Sequence, residues 1–442
     1  MKLATDLEKS YHHYRKFKPL SILAMIALVI QSGLLFIALF EPGLRYKISK
    51  PAAESLDSRQ FIQTLEAITG GYLRQNNALQ VFSNGENYYP AEVAAIRGAK
   101  RTVNIEAYIF NDGDVTDQVM SALIDRARNG VKVNLLIDAV GSSKYPSDKL
   151  KHLTDAGGRY AFYHALSWYS WPRYNNRTHR ELTIVDGSTG FIGGAGYADH
   201  WLHPTDNKPR WRDTMVRVQG LAVAGLQATF AENWLESSGQ IITGTEYFPF
   251  DQPPPVQGSS LGMVVRSSPT TGRSTEARVL FQTLIANASH RIYITTPYFL
   301  PDSSLRDELV RAVQRHVEVR ILVPGQGSDH AVTRSSSRHL YGDLLQAGAK
   351  IFEYQPTMIH AKILLIDSIW AVVGSTNMDS RSFGINDEVN LAVLDKAFVQ
   401  RLEADYETDL SKARSISYEE WKHRPLLERG HELFGSLIER QQ

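Results

Sequence analysis

The chain contains no cysteine. That excludes disulfides, thiolate nucleophiles and cysteine-built zinc or iron–sulfur centres, and it is neutral about redox compartment. An excess of charge is also missing: 48 Lys and Arg stand against 47 Asp and Glu, a net charge of +1. No global field therefore draws in nucleic acid or an anionic membrane surface, and any basic patch must be local. There is no long low-complexity tract, and with 43% hydrophobic and 21% charged residues the composition is that of a folded protein. At 442 residues the chain exceeds one ordinary core and predicts two domains or two large halves.

One segment lacks charge altogether. Leu20 to Phe40, LSILAMIALVIQSGLLFIALF, is uncharged, and as a helix rising about 1.5 Å per residue it reaches roughly 30 Å, the thickness of a bilayer core. A cleaved signal peptide would carry a shorter apolar region, roughly 7–15 residues, and no small-x-small site follows Phe40. The sequence thus predicts a tail and single membrane anchor over 1–50. Lys2, Lys9, Arg15, Lys16 and Lys18 precede the span and Arg45, Lys47 and Lys50 follow it. That slight bias places the amino terminus in the cytoplasm and the body outside.

Beyond the anchor the chain reads as one unit written twice. A helical connector over 51–76 leads to TVNIEAYIF (Thr102 to Phe110) with strand composition, DVTDQVMSALIDRARNG (Asp114 to Gly130) with helical spacing, and VKVNLLID (Val131 to Asp138), another strand. RIYITTPYFL (Arg291 to Leu300), DSSLRDELVRAVQRH (Asp302 to His316) and VEVRILVPG (Val317 to Gly325) repeat that order. A period near 180 residues means a duplicated domain and not a solenoid. Between the copies, YFPFDQPPPVQGSSLG (Tyr247 to Gly262) carries four prolines and reads as an extended linker. The predicted divisions are a first half over 77–246, the linker over 247–262, a second half over 263–411 and a helical tail over 412–442. Alternating strands and helices predict mixed α/β sheets with helices on their faces.

The second half holds a concentrated motif: His360, Lys362, Asp367, Gly374, Ser375 and Asn377. Residues i and i+2 of a strand share a face, so His360 and Lys362 project together. Ser375 and Asn377, after the strand WAVVG, can offer a hydroxyl and an amide to the same anion. A histidine ringed by ammonium, hydroxyl and amide makes a phosphate site. Six positions spread over eighteen residues resemble the HKD motif of the phospholipase D superfamily. The surrounding TPYFLPDSSLRDELVRA, LLQAGAKIFEYQPTMIHAK and GSTNMDSRSF, with IEAYIFNDGD and GVKVNLLIDAVGS in the first half, are similar to bacterial cardiolipin synthases. The resemblance runs from about Ala78 to about Leu410. It implies two α/β sandwich halves related by a pseudo-twofold axis, a location in a bacterial-type cell membrane, phospholipid substrates and no metal or other cofactor; nucleic acid is not expected, and self-association is left open.

The first half carries the degenerate copy, THRELTIVDG. An offset of 360 − 179 = 181 aligns His179 with His360, Asp186 with Asp367 and Gly193 with Gly374. Glu181 replaces the lysine, Gly194 the serine and Gly196 the asparagine. A carboxylate within about 4–6 Å of a phosphodiester costs roughly 3–4 kcal/mol at an effective dielectric near 20, so Glu181 must be neutralised or turned away. Arg177, two residues before His179, and Arg212 are the candidate partners; either could instead grip the phosphate bidentately.

The resemblance implies phosphoryl transfer in two steps, one histidine attacking phosphorus while the other protonates the leaving alcohol and later deprotonates the incoming one. Family precedent makes His179 the nucleophile and His360 the acid/base. Asp213 and Glu388 stand where the family places the carboxylates that orient its histidines, while Asp186 and Asp367 are expected to hold the turns that follow them. Two loops are further candidates: the aromatic His164 to Arg177 segment for the lipid headgroup region, and Gly325 to Leu345 for a second headgroup. The expected activity is phosphatidyl transfer yielding cardiolipin from two phosphatidylglycerols. A phospholipase or nuclease with the same intermediate, and a non-catalytic phospholipid binder with a decayed first motif, stay open as alternatives.

Overall fold

The apolar runs become strands, several of them buried on both faces. In the first half the strands are β1 (Arg74–Ser83), β2 (Thr102–Ala107), β3 (Lys132–Asp138), β4 (Arg159–Tyr163), β5 (Leu182–Val185), β6 (Thr189–Gly193) and β7 (Thr214–Gly220). The second half supplies β8 (Ser260–Ser267), β9 (Arg291–Thr295), β10 (Phe299–Leu300), β11 (Glu318–Pro324), β12 (Lys350–Tyr354), β13 (Ile363–Ile366), β14 (Trp370–Gly374), β15 (Met378–Asp379), β16 (Glu388–Leu394) and β17 (Ala413–Ile416). Every residue of β2, β5, β13 and β14 is buried, the pattern of strands covered by helices on both sides. This computed structural model describes residues 21–33, 45–49, 55–165, 173–205, 208–249, 258–269 and 275–425.

Fifteen strands form one sheet in the order β17-β12-β11-β9-β13-β14-β16-β8-β1-β7-β6-β5-β2-β3-β4. From its centre outward the order repeats: β1, β7, β6, β5, β2, β3, β4 on one side, and β8, β16, β14, β13, β9, β11, β12 on the other. The pseudo-twofold expected from the duplication therefore passes between β1 and β8, which pair antiparallel at Arg74↔Gly262 and Asn77↔Ser260. Of the expected helical tail, Ala413–Ile416 is instead the strand β17, antiparallel to β12, and Tyr418–Lys422 is a short helix; residues 426–442 lie outside the described set. β-Branched and apolar residues in this stretch are few, but Ile416 finds a buried place beside Ile351.

The helices form where caps and apolar faces coincide. Asp302 accepts the backbone N–H of Leu305 at 3.0 Å to start Ser303–Gln314, and Asp395 accepts those of Ala397 and Phe398 at 2.8 and 3.1 Å to start Lys396–Leu410. Val223–Ser238 and Lys396–Leu410 contribute to a single core shared by both halves, in which Leu226 and Phe230 cluster with Val389, Leu391 and Leu402. Separate cores lie on the other faces of the two halves. Asp186 and Asp367 adopt left-handed backbone, φ 54° and 51°. Their carboxylates hold not the turns that follow them but the entries to neighbouring strands: Asp186 accepts Arg101 and Thr102 N–H at 2.7 and 2.9 Å before β2. Asp367 accepts His290 and Arg291 N–H at 2.7 and 2.8 Å before β9.

Contacts divide the chain into 1–44 and 45–442. In the first unit residues 21–33 form an exposed helix. The remainder of the expected anchor lies outside the described residues, and among the described residues no helix is long and apolar enough to cross a membrane. Residues 166–172 of the aromatic loop and 250–257 of the linker also lie outside the described set.

Candidate active site

The two motif histidines sit just before equivalent strands, His179 before β5 and His360 before β13. Each is pinned by its backbone to the opposite half. The His179 N–H donates to Asp387 O at 2.9 Å and that of His360 to Arg212 O at 2.7 Å. Because Asp387 and Arg212 immediately precede Glu388 and Asp213, this bridging delivers each carboxylate to the histidine of the other half. His179 Nδ1 lies 3.1 Å from both Glu388 oxygens, and His360 Nδ1 lies 2.9 Å from Asp213 Oδ2. A carboxylate on Nδ1 keeps the proton there and leaves Nε2 as the lone-pair nitrogen. Among the described residues no hydrogen bond reaches Nε2 of His179.

His360 is more crowded. The Lys362 ammonium packs against its ring, 2.8 and 3.0 Å from the two nitrogens, and donates to the His360 carbonyl at 2.9 Å. Burial and the neighbouring ammonium push His360 down to about 4, so its imidazole rests neutral. Burial pushes Lys362 down to about 8 against the pull of Asp213, Glu388 and Glu181. Burial alone would raise Asp213, but the hydrogen bond and charge of His360, with Lys362, hold its carboxyl below the usual range.

Both histidines line one cleft of about 380 Å³, together with Arg177, Glu181 and Asn377. Lys362, 4% exposed, reaches toward the same place through its contact with His360. Asn377 is held by its backbone N–H to Ser382 Oγ at 3.2 Å, and its buried Oδ1 has no partner among the described residues. Motif spacing did not reveal Tyr108, Trp201, Trp211, Tyr298, Asp379, Arg381 and Asn386, which also line it. Asp329, His330 and Thr333 belong to the polar Gly325 to Leu345 segment that the sequence singled out.

Three expectations are corrected. Ser375 does not face the anion: its hydroxyl donates to Glu388 Oε2, accepts from the Val389 N–H at 3.0 Å, and is wholly buried. Asp213, in the equivalent place, is held by Thr214 N–H at 2.7 Å and Trp201 Nε1 at 3.2 Å, so its half needs no such hydroxyl. Gly194 fits this arrangement, since a Cβ there would come within 2.9 Å of both Asp213 Oδ1 and Lys362 Cδ. Gly193 and Gly374 are equally close-packed, a Cβ falling 2.5 Å from Thr214 O and 2.2 Å from Val389 O.

Neither arginine answers Glu181. Arg177 lines the cleft but pairs with Asp138 at 3.3 Å. Arg212 turns away from it to Asp409, 2.9 Å distant, and donates to Thr214 Oγ1 at 2.8 Å. Each guanidinium is claimed by a buried acid, Asp138 in the first half and Asp409 in the second. Glu181 is 5% exposed, accepts Tyr108 N–H through Oε1 at 3.2 Å, and is pushed well above the usual carboxylate range by burial. The substitution at 196 is coupled to it: a Cβ on Gly196 would lie 3.0 Å from Glu181 Oε1 and 2.6 Å from Ile109 O. An asparagine there would meet the Ile109 carbonyl first and the glutamate second.

The family model for the cardiolipin synthase, phospholipase D-like domain matches residues 93–207 and 281–410, one match in each half. Cardiolipin synthase A of Pseudomonas fluorescens is 35% identical over 348 residues, covering 78% of this chain and 71% of its own. This chain belongs to that family. The major cardiolipin synthase of Bacillus subtilis is 32% identical over 385 residues, 87% of this chain and 79% of that protein. Among solved structures, phosphatidylserine synthase of Haemophilus influenzae shares the fold with a TM-score of 0.63 at 13% identity, over 86% of this chain and all of the other.

Proposed function

We propose that this member of the family is a cardiolipin synthase: a phosphatidyltransferase that joins two phosphatidylglycerols and releases glycerol. The observation that carries the reading is the pair of cleft-lining imidazoles, each tied through Nδ1 to a carboxylate of the opposite half. His179 is the nucleophile, a role supported by the open Nε2 and by the Glu388 carboxylate behind Nδ1. Its Nε2 attacks phosphorus of the first lipid; the bond from phosphorus to the glycerol oxygen breaks, and His360 gives that oxygen a proton. The terminal hydroxyl of a second phosphatidylglycerol then attacks the phosphohistidine, its proton passes to His360, and the phosphorus–nitrogen bond breaks. Binding of an anionic phosphodiester favours the protonated imidazole that the first step needs, offsetting the burial that keeps His360 neutral at rest. Lys362 and Asn377 hold the non-bridging oxygens.

The body is proposed to work at a membrane surface, held by an anchor that includes residues 20–40, with the catalytic portion on the outer side and the halves 77–246 and 263–411 as its two units. The exposed Leu23, Leu28 and Val29 of the 21–33 helix support lipid contact. Supplying the protein with phosphatidylglycerol vesicles and identifying the products tests the reading. Cardiolipin with glycerol is expected, and an acid-labile phosphatidyl group on His179 should be trapped; phosphatidic acid without cardiolipin would overturn the synthase assignment in favour of hydrolysis.

A further inference from the structure

Glu181 occupies the register of Lys362, since 362 − 181 = 181, and sits in the cleft beside both histidines, where burial outweighs the pull of the Lys362 charge on it. Its two oxygens differ. Oε1 accepts the Tyr108 N–H at 3.2 Å and the Ile109 N–H also favours the carboxylate, whereas Oε2 is buried and makes no hydrogen bond of good geometry among the described residues. An ionised carboxylate would leave that oxygen unsolvated, facing a bound phosphodiester and the Asp213 charge at once. A carboxylic acid resolves both difficulties, because the oxygen that accepts becomes the carbonyl and the unpartnered one becomes a donor.

We propose that Glu181 works as a neutral carboxylic acid and donates a hydrogen bond from Oε2 to a non-bridging oxygen of the transferred phosphoryl group. The proton stays on Glu181 throughout; no bond to it forms or breaks. A phosphodiester carries one negative charge, which Lys362 balances, so the second donor needs no charge of its own. Burial, which raises the carboxyl well above its usual range, is consistent with that state. Gly196 makes room for the group, and the commitment of Arg177 to Asp138 and of Arg212 to Asp409 leaves neither guanidinium to ionise it.

The inference rests on the phosphatidyl-transfer reading of the cleft, and its test is separable from it. In the full chain, Glu181→Gln, which keeps shape and donor, should retain transfer within about threefold, while the apolar Glu181→Met should lose roughly 100-fold in kcat with an unchanged Tm. Infrared difference spectra should show the carbonyl band of a protonated carboxyl shifting when orthovanadate binds, with that band absent from Glu181→Gln. A Met variant as active as the parent, a Gln variant as impaired as Met, or a carboxyl band indifferent to orthovanadate would each overturn the proposal. If Met does not fold, the infrared experiment decides alone. Should the parent yield only phosphatidic acid, the synthase reading fails while the orthovanadate response still judges Glu181.

Discussion

His179 and Glu388 belong to opposite halves of the chain, yet the imidazole Nδ1 stands 3.1 Å from both oxygens of the carboxylate. Asp213 returns the arrangement by reaching His360 at 2.9 Å. Each half therefore completes the other's motif histidine, and neither half alone contains this imidazole–carboxylate pair. Glu388→Gln and Asp213→Asn keep the shape but replace the acceptor-only carboxylate with an amide whose NH2 can donate to Nδ1 and hold the wrong tautomer. Each should reduce kcat by roughly 10²–10⁴-fold, as tautomer loss does in other histidine enzymes, with the far-ultraviolet circular dichroism unchanged. Transfer assays on both variants check this.

Ser375 should act on rate through Glu388. Its hydroxyl is spent on the Glu388 carboxylate and the Val389 N–H, away from the cleft. Ser375→Ala removes a hydrogen bond to a charged group, about 1.5–3 kcal/mol, which predicts a fall in kcat of roughly 10- to 100-fold. KM for the phospholipid should hardly move. A rise in KM with kcat preserved would restore Ser375 to the phosphate instead.

The duplicated fold was legible because local pattern carries it: apolar runs at Thr102 to Ala107 and Arg291 to Thr295, each followed by an amphipathic helix, became corresponding strands β2 and β9. The motif histidines were legible as residue types at fixed spacing, and their carboxylates Asp213 and Glu388 through the family resemblance. Their exchange between halves was not, since it depends on the backbone bridges from His179 to Asp387 and from His360 to Arg212. No one-dimensional spacing encodes a bridge across a pseudo-twofold. The fate of Glu181 was hidden for another reason. Its answer is burial beside the Tyr108 backbone and the missing side chain of Gly196, neither of which is a cation. Tyr108 and Tyr298 reach the cleft from stretches that carry the family resemblance and Trp201 from one that does not, and none of the three belongs to the spaced motif.

Arg177 is predicted to matter for stability. Its guanidinium and the Asp138 carboxylate are both buried, 4% and 0% exposed as side chains. Arg177→Met leaves Asp138 without its cation, although the carboxylate keeps the N–H groups of Val140 at 2.8 Å and Gly141 at 3.0 Å. The loss should be about 3–5 kcal/mol, the usual cost of stranding one partner of a buried pair. Adding Asp138→Asn should recover part of it, so the two changes combine to less than their sum. Denaturant midpoints of the single and double variants measure the coupling.

The pH dependence of transfer should carry the signature of Lys362. Its folded value, about 8, lies below the ordinary lysine range because burial disfavours the ammonium. For the free enzyme, kcat/KM, which already declines above about 4 because His360 must be protonated in the first step, should therefore fall more steeply as pH rises through about 8, where the phosphate loses its cation. In the complex the anionic phosphodiester favours the ammonium, so the descending limb of kcat should lie at higher pH than that of kcat/KM. The effect on stability has the opposite sign: between about 8 and the ordinary value of 10.5 the unfolded chain binds the proton that the folded chain has lost. Stability from this group thus increases with pH across that window while activity declines. Lys362→Arg, whose guanidinium keeps its charge, should remove the descending limb near pH 8 even where the different geometry lowers the plateau. Rate profiles from pH 6 to 10, with urea midpoints at the same pH values, separate the two effects; a limb that persists unchanged in the arginine variant would assign it to another group.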